Sequence, residues 1–297
     1  MKTLRRTMLY VPGNRAAMVK DAHIYRPDTL MFDLEDGVPY PEKDSARMLV
    51  YYALRTIEYG DVETAVRING LDTPYGRDDI EAIVRAKPDL IRIPKTDSAD
   101  SVREVEQIIE EVERKIGLAV GTIKLFAAIE TPLGVMNAPE IARASARLVG
   151  IALGAEDLVT NLGTTRSEDG IELLYARSRI LFAARAAGIH AIDTVYSDVC
   201  NDEGFIAETR LIKQLGFDGK SVVQPHQIDM AHKIFTPTVE EVRNAERTLT
   251  ALHAAEERGS GVIALDGKMI DKPMVTRARR ILELALASGV EANKELL

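Results

Sequence analysis

Eight short apolar runs, rich in β-branched and aromatic residues, alternate along the chain with amphipathic stretches, and this limits the fold more than any other feature. The runs are TMLYVPG (7–13), TLMFDLED (29–36), TAVRING (64–70), LIRIPKT (90–96), IKLFAAIET (123–131), LVGIALGAED (148–157), HAIDTVYS (190–197) and GKSVVQPHQ (219–227). Between them, ADSVREVEQIIEEVERKIG keeps Val102, Val105, Ile108, Ile109 and Val112 on one face of a helix. IELLYARSRILFAARAAGI is a second helical pattern and closes at Gly188, a residue suited to the turn that follows a helix. Strands alternating with helices imply a parallel sheet, and eight such units predict an α/β protein built as a TIM (β/α)8 barrel. The rival, an open doubly wound sheet, is disfavoured because no G-x-G-x-x-G follows the first run.

The barrel is expected over residues 1–256, with a C-terminal extension over 257–297. In the extension, GVIALDGKMIDKP carries a short apolar run, an Asp266-Gly267 turn and the run KMI, which predicts a hairpin, and a final helix follows Pro273. Lys and Arg number 38 against 46 Asp and Glu, a net charge of −8 that argues against nucleic acid or an anionic membrane as the main partner. The one cysteine, Cys200, leaves no disulfide framework and no Cys-rich zinc site. The opening MKTLRRTMLYVPGN has too short an apolar stretch for a secretory signal, and no run approaches membrane-spanning length. A cytoplasmic protein is the expectation.

Catalytic groups of a (β/α)8 barrel sit at the C-terminal ends of its strands. Charged and polar residues gather there: Asp33, Glu35 and Asp36 on the second run, Arg67 and Asn69 on the third, Lys95 on the fourth, Glu130 on the fifth and Asp157 on the sixth. A carboxylate closing a buried strand is costly unless it is paired or bound to metal. Several carboxylates without a His/Cys cluster favour a hard cation, Mg²⁺ or Mn²⁺, with Glu130 and Asp157 as ligands. Arg67 matches a substrate carboxylate in bidentate fashion, or neutralises the acids around it, or does both. Lys95 reads as an ion-pair partner of these acids, with a Schiff-base lysine as the alternative. The five histidines make no H-E-x-x-H pattern. In YVPGNRAAMVKDA, Arg15 and Lys20 flank the start of a helix and suit an anion; the plainer reading is a turn with Asn14 as the cap.

The stretches LYVPGNR, FDLEDGV, VRING, IRIPKT, AAIETPLG, GIALGAEDL, DTVYSD, KQLGFDGKS and GKMIDKP, from Leu9 to Pro273, are jointly specific. Through them the chain resembles the citrate lyase beta subunit family, within the superfamily of malyl-CoA and citramalyl-CoA lyases. The resemblance implies a Mg²⁺-dependent retro-Claisen lyase that cleaves a citryl thioester, citryl-CoA or citryl-ACP, to oxaloacetate and an acetyl thioester. The alternatives are a citramalyl-CoA or malyl-CoA lyase, a malate-synthase-like enzyme, or a carrier-docking subunit inactive without partners. By the same resemblance Glu130 and Asp157 ligate the metal, Arg67 holds the ketoacid carboxylate, and Asp36 supports metal-bound water. Arg15 and Lys20 lie toward the acyl-CoA or acyl carrier protein. Asp271 comes from a neighbouring subunit of a homo-oligomer, with a trimer favoured, and other citrate lyase subunits are further partners. One departure is present: the eighth strand of the family leads into Asn-Pro-Arg-Gln, and here it leads into Gln224-Pro225-His226-Gln227.

Overall fold

The computed structural model describes residues 3–257, 263–265 and 268–297. Eight parallel strands close into a barrel in sequential order: β1 (Thr7–Pro12), β2 (Thr29–Asp33), β3 (Glu63–Arg67), β4 (Leu90–Ile93), β5 (Lys124–Ile129), β6 (Leu148–Leu153), β7 (His190–Asp193) and β8 (Gly219–Val222). Closure comes from β1 pairing with both β2 and β8. The connecting helices are α1 (Ala16–Asp21), α2 (Lys43–Thr56), α3 (Gly76–Ala86), α4 (Ala99–Lys115), α5 (Pro132–Ile141), α6 (Ala155–Leu162), α7 (Leu174–Ala187), α8 (Asp202–Leu215) and α9 (Pro225–Phe235). A TIM barrel is the fold expected from the eight alternating runs.

Each strand is shorter at its C-terminal end than its apolar run suggests. Polar tails such as LED after Phe32-Asp33 and PKT after Ile93 leave the ladder and form the loops of the barrel mouth. The last run overreaches most, because Pro225 opens α9 instead of continuing β8. On α4, Val102, Val105, Ile108, Ile109 and Val112 are all buried, as the helical period requires, and Ser98 caps the helix by accepting from Ser101 N–H. Gly188 ends α7 in the left-handed conformation, at φ 72°.

Inside the barrel, side chains alternate inward and outward with the two-residue period of a strand. Met8, Met31, Ala65, Leu90, Phe126, Ala152 and Ile192 fill the interior as one apolar cluster. The inward positions two residues farther along β1 to β4 are Tyr10, Asp33, Arg67 and Arg92, so the apolar plug gives way to polar side chains toward the C-terminal mouth.

The chain forms two compact units, one of Arg5–Ala231 and one built on His232–Leu297. In the second, α10 (Val239–Glu257) packs on α11 (Lys272–Ala287) through Val242, Ala245 and Leu249 against Ala278, Leu282 and Ala285. This unit therefore takes in α10 as well as the extension read over 257–297. Its hairpin pairs β9 (Ile263–Leu265) with β10 (Lys268–Ile270) in antiparallel register; the Asp266-Gly267 turn lies outside the described residues. Among the described residues no helix is long and apolar enough to cross a membrane.

Candidate active site

A cavity of about 440 Å³ opens at the C-terminal mouth of the barrel. Tyr10, Asp33, Asp36, Arg67, Arg92, Glu130, Asp157, Thr194 and Ser221 line it. Mouths of this size at this face are where barrel enzymes bind small ligands.

Glu130 follows β5 directly and is 2 % exposed. The next residue, Thr131, caps α5 by accepting from Gly134 N–H at 3.0 Å, so the carboxylate is set between a strand end and a fixed helix start. Gly154, just past β6, makes room for it: a Cβ there would overlap the Glu130 side chain. Asp157 lies in the first turn of α6, and not at the end of β6 as the apolar run suggested. A helix start favours a negative charge. The two carboxyl groups share the cavity wall, and Asp157 is near enough to act on the Glu130 carboxyl. Burial pushes the Glu130 carboxyl up to about 7, against the fields of Arg67 and Arg92, and Glu35 and Asp157 add to the rise. Its Oε2 is buried with no hydrogen-bond partner.

That orphaned oxygen, the facing carboxylate and the all-oxygen donor set fit a hard divalent cation. Among the described residues there is no group of three or more His, Cys, Asp or Glu side chains arranged as a complete metal cage. Mg²⁺ needs none, since it takes one or two protein carboxylates and fills its remaining positions with water and substrate.

Arg67 forms a fork with Asp33, Nε to Oδ1 and Nη2 to Oδ2, each 2.7 Å. Its Nη1 lies 2.8 Å from Glu35 Oε2. Burial disfavours the guanidinium charge, but Asp33 and Glu35 outweigh that and hold its pKa well above the usual value. Asp33 is fixed in turn by N–H groups of Glu35 and Gly37; burial opposes its charge, yet Arg67 and these bonds keep its carboxyl below the usual range. Gly13 donates its N–H to Asp33 O at 2.8 Å, an approach that a Cβ on Gly13 would block. Arg67 is thus the counter-ion of the acids, and it lines the cavity as well.

Lys95 is the residue whose backbone departs furthest from strand geometry in this cluster, at φ 41°. Its Nζ reaches Glu35 at 2.6 Å, Asp36 at 3.4 Å and Asp157 at 4.0 Å. Burial lowers the ammonium pKa, but the bond to Glu35 and the fields of Glu35, Asp36 and Asp157 leave it raised overall. A Schiff-base lysine needs the opposite shift, so the ion-pair reading of Lys95 holds.

The other sequence candidates divide. Asp36 lines the cavity, half open to solvent. Asn69 does not: it is 3 % exposed, and its amide donates to Leu34 O and Asp79 at 2.9 and 2.7 Å, bracing the loop behind the site. Arg15 and Lys20 are exposed on the short α1 and do not line the cavity, with Lys20 near Asp21 at 3.8 Å. Asn14 is not a helix cap; its amide donates to Glu42 at 2.6 Å, and the capping position is Arg15. Asp271 caps α11 by accepting from Met274 N–H at 2.9 Å. His226 faces Asp202 at 3.2 Å. Sequence reasoning missed Tyr10, Arg92, Thr194 and Ser221. The alternation LIRI held the clue to Arg92, because Leu90 is interior and its second neighbour must be too.

A parallel barrel with a facing carboxylate pair and buried guanidiniums at its C-terminal mouth defines a class: enzymes that bind carboxylate-bearing substrates beside a hard metal ion. A family model described as HpcH/HpaI aldolase/citrate lyase matches residues 6–225, and the chain belongs to that family. It is 55 % identical over 285 residues to the citrate lyase subunit beta of Leuconostoc mesenteroides subsp. cremoris, covering 96 % of this chain and 94 % of the relative. It is 37 % identical over 282 residues to the (3S)-malyl-CoA thioesterase of Cereibacter sphaeroides (strain ATCC 17025 / ATH 2.4.3), covering 95 % of each. Among solved structures it is similar to the protein CitE from Mycobacterium tuberculosis in complex with magnesium, acetoacetate and coenzyme A. There the TM-score is 0.77 and the identity 31 %, over 97 % of this chain and 100 % of that one.

Proposed function

We propose that this chain is a Mg²⁺-dependent lyase that splits a citryl thioester into oxaloacetate and an acetyl thioester. The observation that carries the reading is the near full-length identity of 55 % to a citrate lyase subunit beta. The geometry agrees with it, since the mouth offers both an oxygen-donor pair and guanidiniums for carboxylates.

Glu130 and Asp157 hold the metal, which when bound polarises the oxygen that becomes the ketone. Arg67 keeps its fork on Asp33 and presents its remaining N–H groups to the substrate carboxylate. Asp36, fixed beside Arg67 and Lys95, orients water at the mouth. The substrate hydroxyl gives up its proton to water at the mouth and the C–C bond breaks. Its electron pair passes to the thioester as an enolate, and the enolate carbon takes a proton. Asp271 of a neighbouring subunit supplies that proton in this reading, the chain acting as a homo-oligomer, a trimer. Arg15 and Lys20 face the thioester carrier, CoA or acyl carrier protein. With Cys200 as the one cysteine, a reducing cytosol suits the protein, and other citrate lyase subunits are its natural partners.

A second reading, hydrolysis or cleavage of malyl-CoA, has the 37 % relative in its favour. A substrate panel separates them. Purified protein with Mg²⁺ is given citryl-, citramalyl- and malyl-CoA, and ketoacid release is followed. Oxaloacetate from citryl-CoA at the highest kcat/KM is the expected result; a preference for malyl- or citramalyl-CoA overturns the reading.

A further inference from the structure

Arg92 is the buried charge that the site's ion pairs leave over. It is 2 % exposed, projects from β4 into the barrel, and lines the cavity. Its Nε and Nη1 are buried with no hydrogen-bond partner. A guanidinium taken out of water without acceptors is strongly destabilising. The acids nearby do not answer it. Asp33 is held by Arg67 and two N–H groups, and Glu35 by Arg67 and Lys95. Glu130 feels the Arg92 charge, yet its own Oε2 remains without a hydrogen-bond partner. Among the buried cavity atoms without a hydrogen-bond partner are thus Glu130 Oε2, which suits a cation, and the Arg92 Nε and Nη1 edge, which suits an anion.

The ring of Tyr10 fixes where that edge lies. The Arg92 guanidinium carbon is 5.4 Å from the ring centroid, and that of Arg67 is 5.2 Å from the same centroid. Stacking on a ring supports a guanidinium without engaging its N–H groups. Arg67 and Arg92 are therefore two cations held at one ring, both facing one small cavity. A ligand with a single carboxylate satisfies one of them. A 2-ketodicarboxylate satisfies both.

We propose that Arg92 holds the second carboxylate of the ketoacid half and so selects dicarboxylate over monocarboxylate substrates. This deepens the citryl thioester reading and rests on it for the placement of the first carboxylate at Arg67. It also separates the two readings chemically, because a citryl thioester yields a 2-oxodicarboxylate while citramalyl and malyl thioesters yield 2-oxomonocarboxylates.

The test is binding, with no turnover needed. Oxaloacetate and pyruvate are titrated calorimetrically, in Mg²⁺, into wild type, Arg92→Met and Arg92→Lys. Thermal melts check the fold. Wild type should prefer oxaloacetate. Arg92→Met should bind it on the order of 10²-fold more weakly, the loss of a charge-assisted pair, and change little toward pyruvate. Arg92→Lys keeps the charge without the fork and should lose about tenfold. If Arg92→Met does not fold, the Arg92→Lys ratio decides. Equal losses for both ketoacids, an unchanged ratio, or no preference in wild type overturns the role of Arg92. Failure of wild type to cleave citryl-CoA overturns the reaction instead, and the binding ratio still judges Arg92.

Discussion

At the scale of single residues, the site combines groups that are already satisfied with groups that are not. Asp33 and Arg67 complete each other, whereas Glu130 keeps one buried atom and Arg92 two without a hydrogen-bond partner. Glu130→Gln removes the orphaned charge but keeps the shape, so Mg²⁺ binding and turnover should vanish while the melting temperature holds or rises. Calorimetric Mg²⁺ titration checks this, and wild-type heats in the variant would remove Glu130 from the metal site. Arg67→Lys cuts the counter-ion fork on Asp33 and, on the proposed function, the substrate contact. We expect kcat/KM to fall by about 10²–10³, the loss typical of a preorganised electrostatic contact, together with a lower melting temperature. Steady-state kinetics within threefold of wild type would leave Arg67 a counter-ion alone. Much of this was legible in the sequence. Glu130 and Arg67 stand at strand ends, where burial makes a charge conspicuous, and Asp36 and Asp157 follow the strands within a few residues. Arg92 was hidden because it interrupts a run, and Asn69 misled because a loop residue at the mouth can point away from it.

At the scale of elements, strand ends and helix starts do the positioning. Gly154 joins β6 to α6 and leaves space that the Glu130 side chain fills. Gly154→Ala should displace that carboxylate, costing about 1–3 kcal/mol of stability through overpacking and abolishing site-specific Mg²⁺ heats. A fold-neutral variant with intact Mg²⁺ binding would show that the junction relaxes freely. On the far side of β7 and β8, Lys220, Arg177 and Arg166 surround Glu208, at 2.5, 2.8 and 2.5 Å. Burial opposes the Glu208 charge, but these cations outweigh it and lower its carboxyl to about 2, from an ordinary 4.5. A depressed carboxyl stabilises the fold above its unfolded value, and that support is lost as pH falls from about 4.5 through 2. The contribution at neutral pH is on the order of 3 kcal/mol. Glu208→Gln should lower stability at pH 7 and flatten its decline between pH 4.5 and 2. Urea melts across that range measure the slope, and an unchanged slope would mean that another carboxyl governs acid unfolding. The strand overruns have one cause: the polar tails are compatible with extended backbone locally, and only closure of the barrel shows where pairing stops.

At the scale of the whole molecule, eight alternating runs and the absence of G-x-G-x-x-G after the first favoured the barrel over an open sheet, and the pairing of β1 with β8 shows the closure. The second unit was less legible, since α10 lies within the stretch that the alternation assigned to the barrel. Asp271 is the test of assembly. As the N-cap of α11 it is worth about 1 kcal/mol, and Asn caps nearly as well. Asp271→Asn should therefore keep the fold while turnover drops by ~10²–10⁴, the range for a lost proton-transfer group. Mixing it with Glu130→Ala should restore part of the activity if sites are shared between subunits. Absence of recovery, with exchange confirmed by mass, would confine each site to one chain.

The surplus of acid at the mouth has a kinetic consequence. With Glu156 paired to Arg166 at 3.2 Å, the remaining acids Asp33, Glu35, Asp36, Glu130 and Asp157 face Arg67, Arg92 and Lys95, five negative charges against three positive, or −2 when all are ionised. An anionic substrate approaching that field is repelled until a divalent ion cancels it. The expected order is metal first and thioester second. Initial rates should show Mg²⁺ lowering the apparent KM for the thioester steeply, and the slope should flatten in high salt, where the repulsion is screened.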